Sequence, residues 1–141
     1  MRNPLSLKFQ RLCPDFKRFQ IIRTSRFSVS VHSLAGPDPD YMAPHDHGCD
    51  FFSFIIRGGY TENVYRNPFK TLENPEPRPH RRFSCHILRN SSAHRIVECT
   101  PRTLTLFVTW NHQGRRAMAF TRLGHLSYAD YYGKGLHVVE V

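Results

Sequence analysis

The stretch that decides the fold runs from the histidines of His45-Asp-His47 through Phe51-Phe-Ser-Phe-Ile-Ile56 to the glycine pair Gly58-Gly59. Residues two apart on an extended strand point to the same side, so the two imidazoles can reach one metal ion. Five of the nine histidines of the chain fall within residues 45–94. This concentration and spacing indicate an imidazole-rich metal site next to a buried strand.

The remaining patterns predict an all-β domain. Apolar and polar residues alternate from residue 27, and segments around 81–88, 94–99 and 103–110 are also strand-like. Residues 111–114 are typical of a hairpin loop, with a returning strand over 116–121. The proline-rich residues 67–79 predict a long exposed loop. Short strands separated by Gly and Pro turns favour a sandwich or a small barrel.

The N-terminal residues predict a different element. Leu5, Phe9, Leu12, Phe16 and Phe19 follow at steps of four and three residues, which is the spacing of one helical face. A proline at position 14 would divide this helix into two short turns. We therefore expect a basic amphipathic helical arm over residues 1–25 and a β domain over residues 26–141.

Charge and composition limit the classes of partner. The chain has 141 residues with 20 Lys and Arg against 11 Asp and Glu, a net charge of +9. Seven basic residues and one acidic residue lie within 1–26, so nucleic acid is a conceivable partner, although a solvated basic surface is the commoner meaning. No apolar run has the length of about 18 residues that a membrane-spanning helix needs. Four cysteines without a CxxC pair, and no secretory signal, predict reduced thiols in a cytoplasmic protein.

The motifs together resemble the cupin superfamily. Its first motif is HxH, three or four residues, Glu, six residues and Gly, and His45, His47 and Gly58 occupy these positions while Phe51 stands at the Glu position. Its second motif centres on a single His of a later strand, and His94 matches it. The chain is also similar to small, mostly uncharacterised cupin-like proteins, several from phages, that carry HDHPWDF, GGYxE and HRI. The resemblance implies a small cupin jelly-roll β-sandwich or barrel.

The resemblance also implies a metal site. Its ligands would be His45, His47 and His94, with no carboxylate from the first motif. Three imidazoles suit a divalent metal, and Fe(II) is the first expectation, with Mn, Ni or Zn as alternatives. Asp50 and Cys49 are candidates for an extra ligand or for a contact behind the ligands.

Two further residues are predicted to orient a substrate. Arg57 follows the apolar strand and can bind a carboxylate through two hydrogen bonds, and Glu62 lies just beyond the glycine turn. His80 and His86 are expected to be solvent-exposed or to lie at the edge of the core. A contribution of these two histidines to the site is the less favoured alternative.

The sequence leaves more than one class of function open. The favoured hypothesis is an Fe(II)-dependent oxygenase that acts on a small molecule. The alternative is a non-catalytic cupin module that binds a ligand, a protein partner or nucleic acid, for example a phage-encoded inhibitor of a host protein. A sugar isomerase or epimerase, using His and Tyr as acid and base, is a third possibility. Because residues 51–56 are apolar on both faces, the helical arm or a second subunit in a homodimer is expected to cover the outer side.

Overall fold

The computed structural model describes residues 5–13, 15–39, 42–115, 117–122 and 124–127. Within these ranges the chain forms eleven strands and no helix. The strands are β1 (Leu5–Cys13), β2 (Phe16–Arg23), β3 (Phe27–Leu34), β4 (Asp50–Arg57), β5 (Gly59–Tyr65), β6 (Glu76–Arg81), β7 (Cys85–Leu88), β8 (Ala93–Cys99), β9 (Thr103–Trp110), β10 (Met118–Thr121) and β11 (Gly124–Ser127). The prediction of an all-β domain is confirmed.

Three antiparallel sheets make up this architecture. The largest has the order β1-β2-β3-β9-β4-β7, the second has the order β6-β5-β8, and β10 pairs with β11. Side chains from the first two sheets meet in the core. Ile55 of β4 packs with Tyr60 of β5, and Phe107 of β9 packs with Val64 of β5. The result is a two-layer sandwich of the kind predicted.

Buried and less buried side chains alternate along the central strands and show where the core lies. On β4, Phe51, Ser53 and Ile55 are buried between the sheets, while Phe52 and Phe54 point to the outer side. Successive side chains on a strand face opposite ways, so this pattern follows directly from the sequence. The expectation that both faces of this strand are apolar is confirmed.

The predicted N-terminal helix is wrong, because β1 and β2 form an antiparallel hairpin. Phe9 stands opposite Phe19, and β2 continues the large sheet by pairing with β3. Leu5, Leu7 and Phe9 also alternate with a period of two, which is the strand pattern. The helix-like spacing mixes residues from both faces of the hairpin: Phe16 packs against His32 inside, whereas Phe19 is exposed. Pro14 itself lies outside the described residues.

The predicted long loop is also partly wrong. Residues 76–81 form β6, and Pro77 and Pro79 alternate with Arg78 and His80 along it. Proline cannot donate a backbone hydrogen bond, but β6 is an edge strand and, among the described strands, pairs only with β5. The predicted strand 81–88 is divided by a turn at residues 82–84, so that β6 and β7 belong to different sheets.

The returning strand also differs from the prediction. β10 pairs with β11 rather than with β9. Across the described part of the chain, no helix has the length and apolar character required to cross a membrane.

Candidate metal centre

Three predicted metal ligands converge between the sheets. One donor atom from each of His45, His47 and His94 lies within 4.8 Å of the others. His45 and His94 exchange both backbone hydrogen bonds, at 3.0 and 2.9 Å, so their side chains start from neighbouring positions. The Nε2 atoms of His47 and His94 are 2.8 Å apart. The histidine pair stands just before β4 rather than on a regular strand, yet both imidazoles reach the same point.

The residue between the two histidines anchors their loop. Asp46 is almost completely buried and accepts two hydrogen bonds from Arg115, at 3.1 and 2.8 Å. It also accepts one from the backbone N–H of Met118 at 2.9 Å. Because Asp46 is fixed on one side of the loop, His45 and His47 are held on the other. No sequence pattern indicated this role for Arg115.

A hydrogen bond determines which nitrogen of His94 is free. Its Nδ1 donates to Oε2 of Glu62 at 2.6 Å, because a carboxylate can only accept. When His94 is neutral, Nε2 therefore carries the lone pair, and it is this atom that faces His47. A carboxylate behind a metal-binding histidine, fixing its tautomer and orientation, is a recurrent arrangement in metal centres.

Burial keeps two of the three imidazoles neutral. Burial first, and then the neighbouring His94, lowers the pKa of His45 to about 4 and that of His47 well below the ordinary value. Burial also acts to lower the pKa of His94, but the hydrogen bond and charge of Glu62 raise it above the ordinary value. Neutral imidazole is the form that binds a metal, so His45 and His47 are ready as ligands at neutral pH.

The donor set fits a divalent transition metal. Two ligands at about 2.1 Å from one ion, about 90 to 110° apart, lie about 3.0 to 3.4 Å from each other. The Nε2 separation of 2.8 Å for His47 and His94 is close to that spacing. Phe51 stands at the expected Glu position and packs its ring 5.0 Å from that of His47 without offering a donor. Three nitrogens and no carboxylate therefore leave coordination positions open.

No family model matches the sequence, and no curated protein is similar to it. Solved structures are similar in fold. An RmlC-like cupin from Shewanella frigidimarina has a TM-score of 0.56 at 9% identity, over 77% of this chain and 86% of that protein. The chain has a cupin fold.

Two other similar structures bear on the candidate site. Hydroxypropylphosphonic acid epoxidase from S. wedmorenis has a TM-score of 0.61 at 14% identity, over 78% of this chain. The chain spans only 58% of the length of that epoxidase. A structure of FeII HppE gives a TM-score of 0.60 at 15% identity, over 78% of this chain and 59% of that one.

Within this cupin fold, neither candidate for an extra ligand is available to the triad. The carboxylate of Asp50 is hydrogen-bonded to other residues, and the thiol of Cys49 is protonated. The carboxylate of Asp50 accepts hydrogen bonds from Arg89 at 3.1 Å, from the backbone N–H of Asn90 at 2.8 Å and from Asn111 at 3.1 Å. Cys49 is buried, and burial, followed by the charge of Asp50, raises the pKa of its thiol to about 11. The thiol is therefore protonated at neutral pH. Its place is the wall of a cavity beside His47.

The two residues predicted to orient substrate lie elsewhere. Arg57 is exposed at the end of β4 and donates to the backbone carbonyl of Arg102 at 2.9 Å. It is absent from the walls of the cavities beside the triad. Glu62 is completely buried and lies behind His94, so it contacts a candidate ligand rather than a substrate space.

Sequence reasoning missed a second cluster around Glu62. Its Oε1 lies 2.9 Å from Nε2 of His80 and 3.4 Å from Nε2 of His86. The two histidine side chains are only 8% and 9% exposed, and their Nε2 atoms share one carboxylate oxygen. The predicted placement of His80 and His86 at the core edge underestimated their involvement. Alternation along β6 places Arg78 and His80 on one face, but the intervening prolines concealed this strand in the sequence.

A cavity of about 320 Å³ adjoins the triad. His45 and His47 form one side of it, and Arg18 of β2, His32 of β3 and Phe107 of β9 form part of the rest. Among the described residues, Nε2 of His32 has no hydrogen-bond partner although the side chain is buried. Arg18 was not predicted here because its segment was expected to be helical.

Proposed function

We propose that this cupin is a metal-dependent enzyme, an Fe(II)-dependent oxygenase that acts on a small molecule through His45, His47 and His94. The observation that carries the proposal is the convergence of three imidazoles, His94 buried and His45 and His47 half-buried, on one point beside a cavity. Glu62 behind His94 adds the carboxylate that orients a ligand in many metal centres. The fold shared with FeII HppE supports iron as the metal.

Iron bound by three imidazoles would supply redox chemistry toward O2 and substrate at the positions that the protein leaves open. The residues of the chain do the rest. Phe51 and Phe107 pack beside the imidazoles and exclude water from the site. Asp46 and Glu62 hold the ligands in place from behind.

The cavity favours a small substrate with an acidic group. Arg18 is part of its wall, and the Nε of this residue donates a hydrogen bond to Gln10 at 3.1 Å. An arginine binds a carboxylate, phosphate or phosphonate with good geometry. The buried Nε2 of His32 offers a second polar contact in the same space. In this proposal Arg18, rather than Arg57, orients the substrate.

Iron uptake and oxygen consumption test the proposal. The full chain, reconstituted with Fe(II) under anaerobic conditions, should hold one equivalent of iron more than the His45→Ala/His47→Ala/His94→Ala variant. It should also consume O2 when screened with small carboxylic and phosphonic acids, whereas the triple variant should not. His125→Ala, a change at an exposed histidine outside the triad, is the matched control and should behave as the wild type.

The opposite result has a definite meaning. If wild-type and triple-variant chains bind the same amount of iron while both keep the folded circular-dichroism spectrum, the triad holds no metal. The non-catalytic cupin module would then be the better description.

We also propose that the partner of this chain is a second copy. The outer face of the large sheet carries two rows of apolar residues that cross all six strands. One row consists of Phe9, Phe19, Val31, Leu106, Phe54 and Cys85, and the other of Leu5, Ile22, Val29, Val108, Phe52 and Ile87. A contiguous apolar area of this kind is unusual on a monomer.

A further inference from the structure

We propose a second metal site in this protein, formed by Glu62, His80 and His86, which takes a divalent transition metal such as Zn²⁺. The three residues belong to β5, β6 and β7, and none of them is among the predicted ligands of the triad. One ligand atom from each lies within 4.8 Å of the others. Two imidazoles and one carboxylate are a common donor set for zinc.

The distances between the donor atoms match a shared ion. Oε1 of Glu62 is 2.9 Å from Nε2 of His80 and 3.4 Å from Nε2 of His86. Neighbouring ligands of one zinc ion lie about 3.0 to 3.4 Å apart. The imidazole rings stack with their centroids 3.6 Å apart. Both Nε2 atoms face Oε1 of Glu62, as the two distances show.

Hydrogen bonds alone leave His86 poorly satisfied. Its Nε2 has only two long contacts, 3.4 Å to Glu62 and 3.3 Å to the hydroxyl of Tyr60. Its Nδ1 is buried and has no hydrogen-bond partner within the described part of the chain. Both contacts of Nε2 are longer than usual hydrogen bonds, so this nitrogen is available for a stronger interaction. A bound cation supplies that interaction.

The cluster lies where an ion could link the two sheets. β6 is an edge strand of the smaller sheet and β7 is an edge strand of the larger one, joined by a turn at residues 82–84. An ion held by His80 and His86 would therefore tie the edges of the two layers together. His80 and His86 keep slight exposure at these edges, so the ion would not have to cross the core to reach them.

Glu62 connects this site to the triad without merging them. Oε1 faces His80 and His86, while Oε2 accepts the hydrogen bond from Nδ1 of His94. The second site therefore requires no metal in the triad. Its failure and that of the proposed oxygenase can be measured separately.

The test is zinc stoichiometry in matched variants of the full chain. Chelator-treated protein is dialysed against Zn²⁺, and bound zinc is measured by elemental analysis. We expect two equivalents for the wild type, one for His80→Ala/His86→Ala and one for His45→Ala/His47→Ala. The exposed-histidine variant His125→Ala should keep two. His86→Gln, a milder change, should also lose one equivalent and serves if the double variant does not fold.

Thermal unfolding gives a second readout. Zinc should raise the melting temperature of His45→Ala/His47→Ala, because the intact second site binds only the folded chain. This rise should disappear when His86→Gln is added. The proposal is overturned if His80→Ala/His86→Ala and His86→Gln bind as much zinc as the wild type. A wild type with one equivalent that only the His45→Ala/His47→Ala change removes would overturn it too.

Discussion

At the scale of single residues, His32 shows how burial sets the response of the fold to pH. It points inward from β3, stacks on Phe107 at 4.3 Å and touches the ring of Phe16 at 4.8 Å. Burial first, and then the charge of Arg18, lowers its pKa to about 3. Below the ordinary histidine pKa of about 6.5, the unfolded chain binds a proton at this residue that the native chain does not bind. The free energy of unfolding therefore falls as pH falls from about 6.5 toward 3.

His32→Phe removes this proton-linked loss. Between pH 7 and pH 5 the free energy of unfolding should fall by about 2 kcal/mol less in the variant than in the wild type. Urea denaturation at pH 7, 6 and 5, followed by the fluorescence of Trp110, measures the difference. The exposed His125→Phe is the matched control and should follow the wild type. Parallel pH curves for His32→Phe and the wild type would contradict the argument.

The same scale shows which site residues a sequence can reveal. His45 and His47 were predictable because their spacing is local, and His94 because a motif marks it. The contact of Glu62 with His80 and His86 depends on how β5 and β6 pair in one sheet and how β7 of the other sheet packs against them. The spacing of residues along the sequence does not reveal which strands meet, so the second cluster could be found only in the structure.

At the scale of elements, the turn between β4 and β5 depends on Gly58. Its φ is +76°, in the left-handed region that favours glycine. A Cβ at this position would contact the Oγ1 of Thr103 and lie 2.9 Å from the Cα of Thr103, which belongs to the backbone of β9. The turn is therefore packed against the sheet as well as conformationally restricted.

Gly58→Ala should destabilise the fold by about 3 kcal/mol, from the backbone conformation and the steric clash together. Gly114→Ala separates the two causes. Gly114 has a similar φ of +67°, but nothing lies within 4 Å of its Cβ position, so we expect about 1 kcal/mol. Urea denaturation of both variants provides the comparison. Equal losses would show that the contact with Thr103 contributes nothing.

The N-terminal hairpin shows why an element can be predicted wrongly. Its apolar residues satisfy the helical spacing because they lie on both faces of the strands, as Phe16 and Phe19 do on β2. Pairing of β2 with β3 is a contact with a distant part of the sheet, and tertiary pairing of this kind outweighs local periodicity. The strands β3, β4, β8 and β9 were predictable because their alternation or apolar run was complete within a single segment.

At the scale of the whole molecule, the outer face of the large sheet is the feature that monomeric packing leaves unexplained. Phe19 near one edge and Ile87 near the other are 42% and 49% exposed, and the apolar rows between them are continuous. The same face on a second copy is apolar in the same pattern. A two-fold arrangement pairs such a surface with itself and requires no other partner.

Phe19→Asp/Ile87→Asp should convert the proposed homodimer into a monomer, because each dimer would bury four unpaired carboxylates. Both positions are exposed enough that the single chain should still fold. Light scattering coupled to size-exclusion chromatography, at several concentrations, measures the mass of each species. Phe69→Asp is the control, since this side chain is 61% exposed and packs near β10 and β11, apart from the large sheet. A wild type that is monomeric at every concentration would contradict the proposed dimer. A double variant that stays dimeric would show that the dimer forms through another surface.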